Sequence, residues 1–177
     1  ASSADPSGWT VIYSRAESAG GRFAIDSSTG VVSIANASLL DHDSAISHSL
    51  TVVATDAGGL TASAIFTVNV INAAPLTPVD DNSASNSVAE GAAAGTLVGV
   101  TAGSSDPAGG TVSYSLSNNA GGRFAIDGTT GVVTVAAGSL LNHDAATSHS
   151  LTVVATDASG ATSSASFTIN VTNVAPS

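Results

Sequence analysis

The chain has 177 residues, 43% of them hydrophobic, with 13 acidic and 3 basic side chains and a net charge of −10. That balance argues against a nucleic-acid partner, because phosphates are held by Lys and Arg and the only such residues are Arg15, Arg22 and Arg123. Without Cys there are no disulfides and no thiolate metal sites, and without an apolar run of about 18 residues no membrane insertion is expected.

The elements read as strands from start to end. In the first part of the chain, Ser49–Thr55 and Ser63–Val70 alternate apolar and polar residues with period two, the mark of a half-buried strand. Next come Ser87-Val88-Ala89-Glu90 and Thr96-Leu97-Val98-Gly99-Val100, which read as one broken strand. Val112, Tyr114 and Leu116 mark another. Phe124–Asp127 is a short strand, Asp127-Gly128-Thr129-Thr130-Gly131 turns the chain, and Val132–Val135 runs back, forming a hairpin with a five-residue loop. The last pair is Ser150–Thr156 and Ser164–Val171, joined by Asp157-Ala158-Ser159-Gly160. No segment sustains a 3.6-residue period with caps at both ends. About seven strands per repeat, with turn signals every 8–12 residues, predict an all-β fold of tandem Greek-key β-sandwiches.

The word "repeat" is earned by self-similarity. Ala19–Asp26 returns letter for letter as Ala120–Asp127, an offset of 101 residues that holds without a gap from Ala1 and Ala102 to Pro75 and Pro176. About two-thirds of these positions are identical. A period this long is one domain per repeat. The expected division is residues 1–75 and residues 76–177. The first repeat has no counterpart of residues 77–101, so it is expected to lack its first strand and to show unpaired backbone groups there. Three explanations stay open: a segment cut from a longer array, a strand supplied by another subunit, or a first repeat that folds differently at its start.

Taken together, Ser87–Gly91, Gly95–Gly99, Ser105-Asp106-Pro107, Gly121–Asp127 with Thr130–Val133, Leu141–Asp144, Leu151–Asp157 and Asn170–Pro176 resemble the bacterial cadherin-like tandem repeat of large extracellular adhesins. The resemblance covers the whole chain. It implies a cadherin- or immunoglobulin-like sandwich of about seven strands, an extracellular or cell-surface location, and Ca²⁺ between successive repeats. Position by position, it implies ligands at Asp41, Asp43 and Asn72 of the first repeat and at Asp106 and Asp157 of the second. Glu90 and Asp144 match the ligand positions for the next junction along. One residue departs from the pattern, since Ala108 stands where an Asp-x-Asp pair would have its second carboxylate. Ca²⁺ takes six to eight oxygens, so this set suits one ion at the junction between the repeats.

The expected function is a structural segment of an adhesin stalk or filament, not an enzyme. Its partners would be neighbouring repeats or identical subunits, with a cell-surface glycan or protein as a further partner. The rivals are a self-assembling fibre subunit completed by strand exchange and a carbohydrate-binding module, for which Trp9, Tyr13 and Tyr114 are the only large polar aromatics. Asp26 and Asp127 read as turn residues, and Asp56 and Asp157 as turn residues or ligands alike. Arg22 and Arg123 read as partners of a carboxylate or an aromatic ring. His42, His48, His143 and His149 offer two imidazoles per repeat but no third transition-metal ligand. Ser, His and Asp are plentiful, yet no nucleophile elbow brings them together, so no catalytic residue is expected.

Overall fold

The computed structural model describes residues 3, 4, 8, 10–17 and 19–175. Trp9 and Pro176 lie outside the described residues. The chain forms two compact units, Ala1–Asn72 and Ala73–Ser177. Among the described residues the regular structure is strand, apart from one-turn 3₁₀ helices at Ala37–Leu39 and Gly138–Leu140. No helix there is long and apolar enough to cross a membrane.

Unit 1 has five strands: β1 (Ile12–Glu17), β2 (Phe23–Ile25), β3 (Val32–Ile34), β4 (Ser47–Thr55) and β5 (Thr61–Asn69). β1, β4 and β5 make one antiparallel sheet, and β2 and β3 a two-stranded one. Unit 2 adds β6 (Val79–Asp80), β7 (Ser87–Ala89) and β8 (Leu97–Gly103) ahead of β9 (Ser113–Asn118), β10 (Phe124–Ile126), β11 (Val132–Val135), β12 (Ser148–Thr156) and β13 (Thr162–Thr172). Its two four-stranded sheets run β10-β11-β8-β6 and β7-β13-β12-β9.

The two segments read from the sequence as one broken strand are two strands in different sheets. β7 lies parallel to β13, with Val88 opposite Val171. β8 runs antiparallel to β11, with Thr101 opposite Val132. A tight turn with left-handed glycines at Gly91 (φ +67°) and Gly95 (φ +87°) carries the chain from one sheet to the other. Alternation correctly puts Val88, Val98 and Val100 inside but says nothing about which sheet each strand joins.

The core of unit 2 lies between the sheets. Val98, Val100, Val133 and Val135 from one meet Leu151, Val153, Ile169 and Val171 from the other, all at most 3% exposed. Phe124 closes one end and packs edge-on to the His149 ring, with centroids 6.3 Å apart. Unit 1 keeps a smaller core of Tyr13, Phe23, Leu50 and Val52.

Both units build the same corners from the same residues. Ala19 and Ala120 take left-handed backbone (φ +49° and +55°) ahead of two left-handed glycines. The arginine that follows pins the bend. Arg123 donates from Nε to the Leu140 carbonyl (2.9 Å) and from Nη1 to the Ala120 carbonyl (2.7 Å). Arg22 does the same to Leu39 (2.7 Å) and Ala19 (2.6 Å). Neither contact is with a carboxylate or a ring, as the residue type alone had suggested. The fork of the guanidinium spans two carbonyls that a point-like ammonium would not bridge.

Candidate functional site

Three kinds of acidic residue share the loops, and their hydrogen bonds tell them apart. Asp127 Oδ1 accepts from the backbone amides of Thr129 (3.0 Å) and Thr130 (2.8 Å) and from the Thr130 hydroxyl (2.9 Å). Asp26 repeats this with Ser28 and Thr29. These bonds, the Thr amide first, hold both carboxyls below the ordinary aspartate range. Both residues are turn-formers, as their place in the sequence implies.

Glu90 is a second kind. It follows β7, and its two oxygens receive the amides of Val174 (Oε1, 2.8 Å) and His143 (Oε2, 2.9 Å). Those bonds, Val174 first, lower its pKa. One carboxylate therefore ties the end of β7 to the Asn142–Ala145 turn and to the chain leaving β13. In that turn Asn142 Oδ1 accepts from the Asp144 amide (2.9 Å), while the Asp144 side chain is 89% exposed with His143 Nδ1 4.0 Å away.

The third kind is the pair Asp106 and Asp157. They are the two buried charged residues of the chain's described part, at 7% and 6% exposure. Carboxylate oxygens of the two lie within 4.8 Å of one another. Asp106 sits between β8 and β9, where its Oδ1 accepts from the Ala108 amide (2.6 Å). Asp157 follows β12, where its Oδ1 accepts from the Ala161 amide (2.8 Å) and the Ser159 hydroxyl (3.0 Å). So Asp157 does serve its own turn, as does Asp56, whose Oδ1 accepts from the Leu60 amide (2.9 Å). Two buried carboxylates at this distance repel, and the arrangement is favourable when a cation lies against them. A hard-oxygen donor set of this kind fits Ca²⁺.

The sequence-marked residues of unit 2 thus fall at two opposite poles. Asp106 and Asp157 stand at the end of β12, and Glu90, Asn142 and Asp144 at its start. Nine strand residues separate them, roughly 30 Å at about 3.3 Å per residue. In unit 1, Asp41 and Asp43 occupy the turn before β4. Asp41 accepts from the Asp43 amide (2.9 Å, Oδ1) and the Ser44 hydroxyl (2.5 Å, Oδ2). The Ser44 hydroxyl is the main reason its pKa is lowered. Asn72 is the last residue of unit 1.

Two of the four histidines take structural places. His48 and His149 stack edge-on against Phe23 and Phe124, and each has a buried Nε2 without a hydrogen-bond partner. Tyr13 and Tyr114 are tethered too. The Tyr114 hydroxyl receives the Ser104 amide (2.9 Å), and Tyr13 receives that of Ser3 (2.7 Å).

Comparison with known proteins adds the family. The sequence profile described as "Cadherin domain" matches residues 84–172. No curated protein matches the chain. Among solved structures it is similar to the protocadherin GammaB4 extracellular domain, at 23% identity and a TM-score of 0.51 over 93% of this chain and 26% of that one. It is also similar to protocadherin gammaB7 EC3-6, solved as a cis-dimer, at 23% identity and a TM-score of 0.51 over 93% of this chain and 40% of that one. The chain thus spans well under half the length of either structure.

Proposed function

We propose a structural role for this chain, which belongs to the cadherin domain family: it is a repeat segment of an extracellular adhesin stalk or filament, held stiff by Ca²⁺ where its repeats meet. Cadherin domains are extracellular adhesion-type modules, and the bacterial setting, the filament and the ion are the parts proposed here. The observation that carries the reading is the Asp106–Asp157 pair, buried at one pole of unit 2 with carboxylate oxygens within 4.8 Å. In the family register, Asp41, Asp43 and Asn72 of the preceding repeat would complete the oxygen shell. Ca²⁺ would neutralise the two buried charges and bind carboxylates of successive repeats to one ion. Glu90 and Asp144 would serve the next junction, with Asn142 in the place of Asp41.

Partners under this reading are neighbouring repeats. No observation favours a glycan-binding strip, since Tyr13 is 7% exposed and both tyrosine hydroxyls are tied to backbone. Calorimetric titration with Ca²⁺ tests the proposal. We expect binding that Asp106→Asn and Asp157→Asn each weaken severely and that Asp127→Asn, in a turn of its own, leaves intact. Binding unchanged in all three variants would refute it.

A further inference from the structure

One pole of unit 2 carries an imidazole whose surroundings suit only its neutral form. His149 is the second residue of β12, and its neighbour across the ladder on β13 is Ile169. From β10 the Phe124 ring meets it edge-on, with centroids 6.3 Å apart. Its Nε2 is buried and has no hydrogen-bond partner. The charged group that acts on it is Arg123, which immediately precedes β10. Among the described residues no carboxylate lies within ion-pair distance of its ring. The other titratable groups of this pole are engaged with one another. Glu90 takes the Val174 and His143 amides, and the His143 ring stands 4.0 Å from Asp144. An imidazolium at His149 therefore carries a buried N–H without an acceptor and a second positive charge facing a guanidinium. Burial first, and Arg123 second, lower its pKa accordingly.

That guanidinium also fastens the pole. Arg123 donates to the Leu140 and Ala120 carbonyls. Next along the chain, the Leu141 carbonyl accepts from the Gly91 amide (3.1 Å), and the Asn142–Ala145 turn follows. His149, Arg123, Leu140 and that turn are thus successive neighbours in space or along the chain.

We propose that His149 is an acid-operated latch. Proton uptake from solvent at its ring drives Arg123 off the Leu140 carbonyl and frees the Asn142–Ala145 turn. The Asp106–Asp157 pole, at the far end of β12, stays closed. His48 and Phe23 repeat the ring contact in unit 1, with centroids 6.4 Å apart, so the geometry belongs to the repeat. That the freed pole meets the next repeat rests on the proposed function. The latch itself needs neither an ion nor a second repeat.

The test is hydrogen exchange in the full chain, in chelator, followed by NMR as pH is lowered below about 6.5. His149→Phe and His149→Gln are the comparisons, since neither side chain takes up a proton. Protection is corrected for the intrinsic pH dependence of exchange. At the Gly91 amide and the Arg123 Nε–H we expect it to fall by up to about tenfold per pH unit until the folded pKa is passed, the limit for one coupled proton. The Ala108 and Ala161 amides, at the other pole, should keep theirs. In both variants the Gly91 and Arg123 signals should stay flat, and in Arg123→Gln the His149 ring should titrate at higher pH than in the parent. Flat protection in the parent, or the same fall in both variants, overturns the latch. An equal loss at both poles overturns it in favour of unfolding of the whole unit. A His149 midpoint unmoved in Arg123→Gln removes Arg123 from the path and overturns the mechanism. Because chelator is present throughout, this result and the calcium titration stand or fall separately.

Discussion

Removing one charge from the Asp106–Asp157 pair should have opposite effects with and without calcium. Asp157→Asn keeps an oxygen acceptor for the Ala161 amide and the Ser159 hydroxyl, removes the charge and puts an NH₂ group in place of the second oxygen. With carboxylate oxygens no more than 4.8 Å apart, the repulsion is about 3.5 kcal/mol at an effective dielectric of 20, and about 0.9 kcal/mol at that of water. In chelator the variant should therefore be more stable than the parent by about 1–3 kcal/mol, a rise in melting temperature of at least about 4 °C for a unit of this size. In Ca²⁺ the order inverts. The parent gains about 2.7 kcal/mol when the free ion is at one hundred times its dissociation constant, and the variant gains little. The assay is differential scanning calorimetry of both proteins in chelator and across a calcium series. A variant that melts below its parent in chelator would show that the charge serves the turn and not an ion. Equal calcium shifts in both proteins would remove the ion from this pair altogether.

The exposed and buried members of one repeat pair should separate cleanly. Val135→Ala removes buried methyl groups and should cost about 2 kcal/mol in unit 2, whereas Ile34→Ala, at 61% exposure, should cost well under 1 kcal/mol; chemical denaturation of each variant decides. Arg123→Ala loses both carbonyl contacts, and Arg123→Lys should restore less than half of the lost stability in the same assay. Burial, and then the nearby Arg123 charge, lowers the pKa of His149. Its contribution is thus complete above its unfolded value of about 6.5 and lost as pH falls through the lower folded value. Unit 2 should therefore weaken as pH falls below about 6.5, and His149→Gln should flatten that slope in urea melts taken across the acid range.

Much of this molecule is legible without coordinates because its signals are local. The turn at Asp127 needs an aspartate, two threonines and a glycine within five residues, and all of them are visible in order. The β12–β13 hairpin follows from alternation on either side of Asp157-Ala158-Ser159-Gly160, and its nine-pair register from Ser148–Asn170 to Thr156–Thr162 follows from the short loop. The proposed ligand residues were readable as residue types at family positions, both members of the Asp106–Asp157 pair among them. Other features were not. Glu90 reads as a carboxylate awaiting a cation, and nothing nearby in the sequence announces that it receives amides 53 and 84 residues away. Arg123 reads as half of an ion pair, yet its partners are carbonyls.

What the sequence determined alone is the repeat, the strands and the faces they bury, since each depends on a few consecutive side chains and on self-similarity at a constant offset. What only the tertiary structure decided is which sheet β7 and β8 join and the burial of Asp106 beside Asp157. The physical reason is that strand pairing and burial are properties of closure. They depend on segments more than 80 residues apart meeting around one core, and the same alternating residues would satisfy either sheet until the packed whole excludes one.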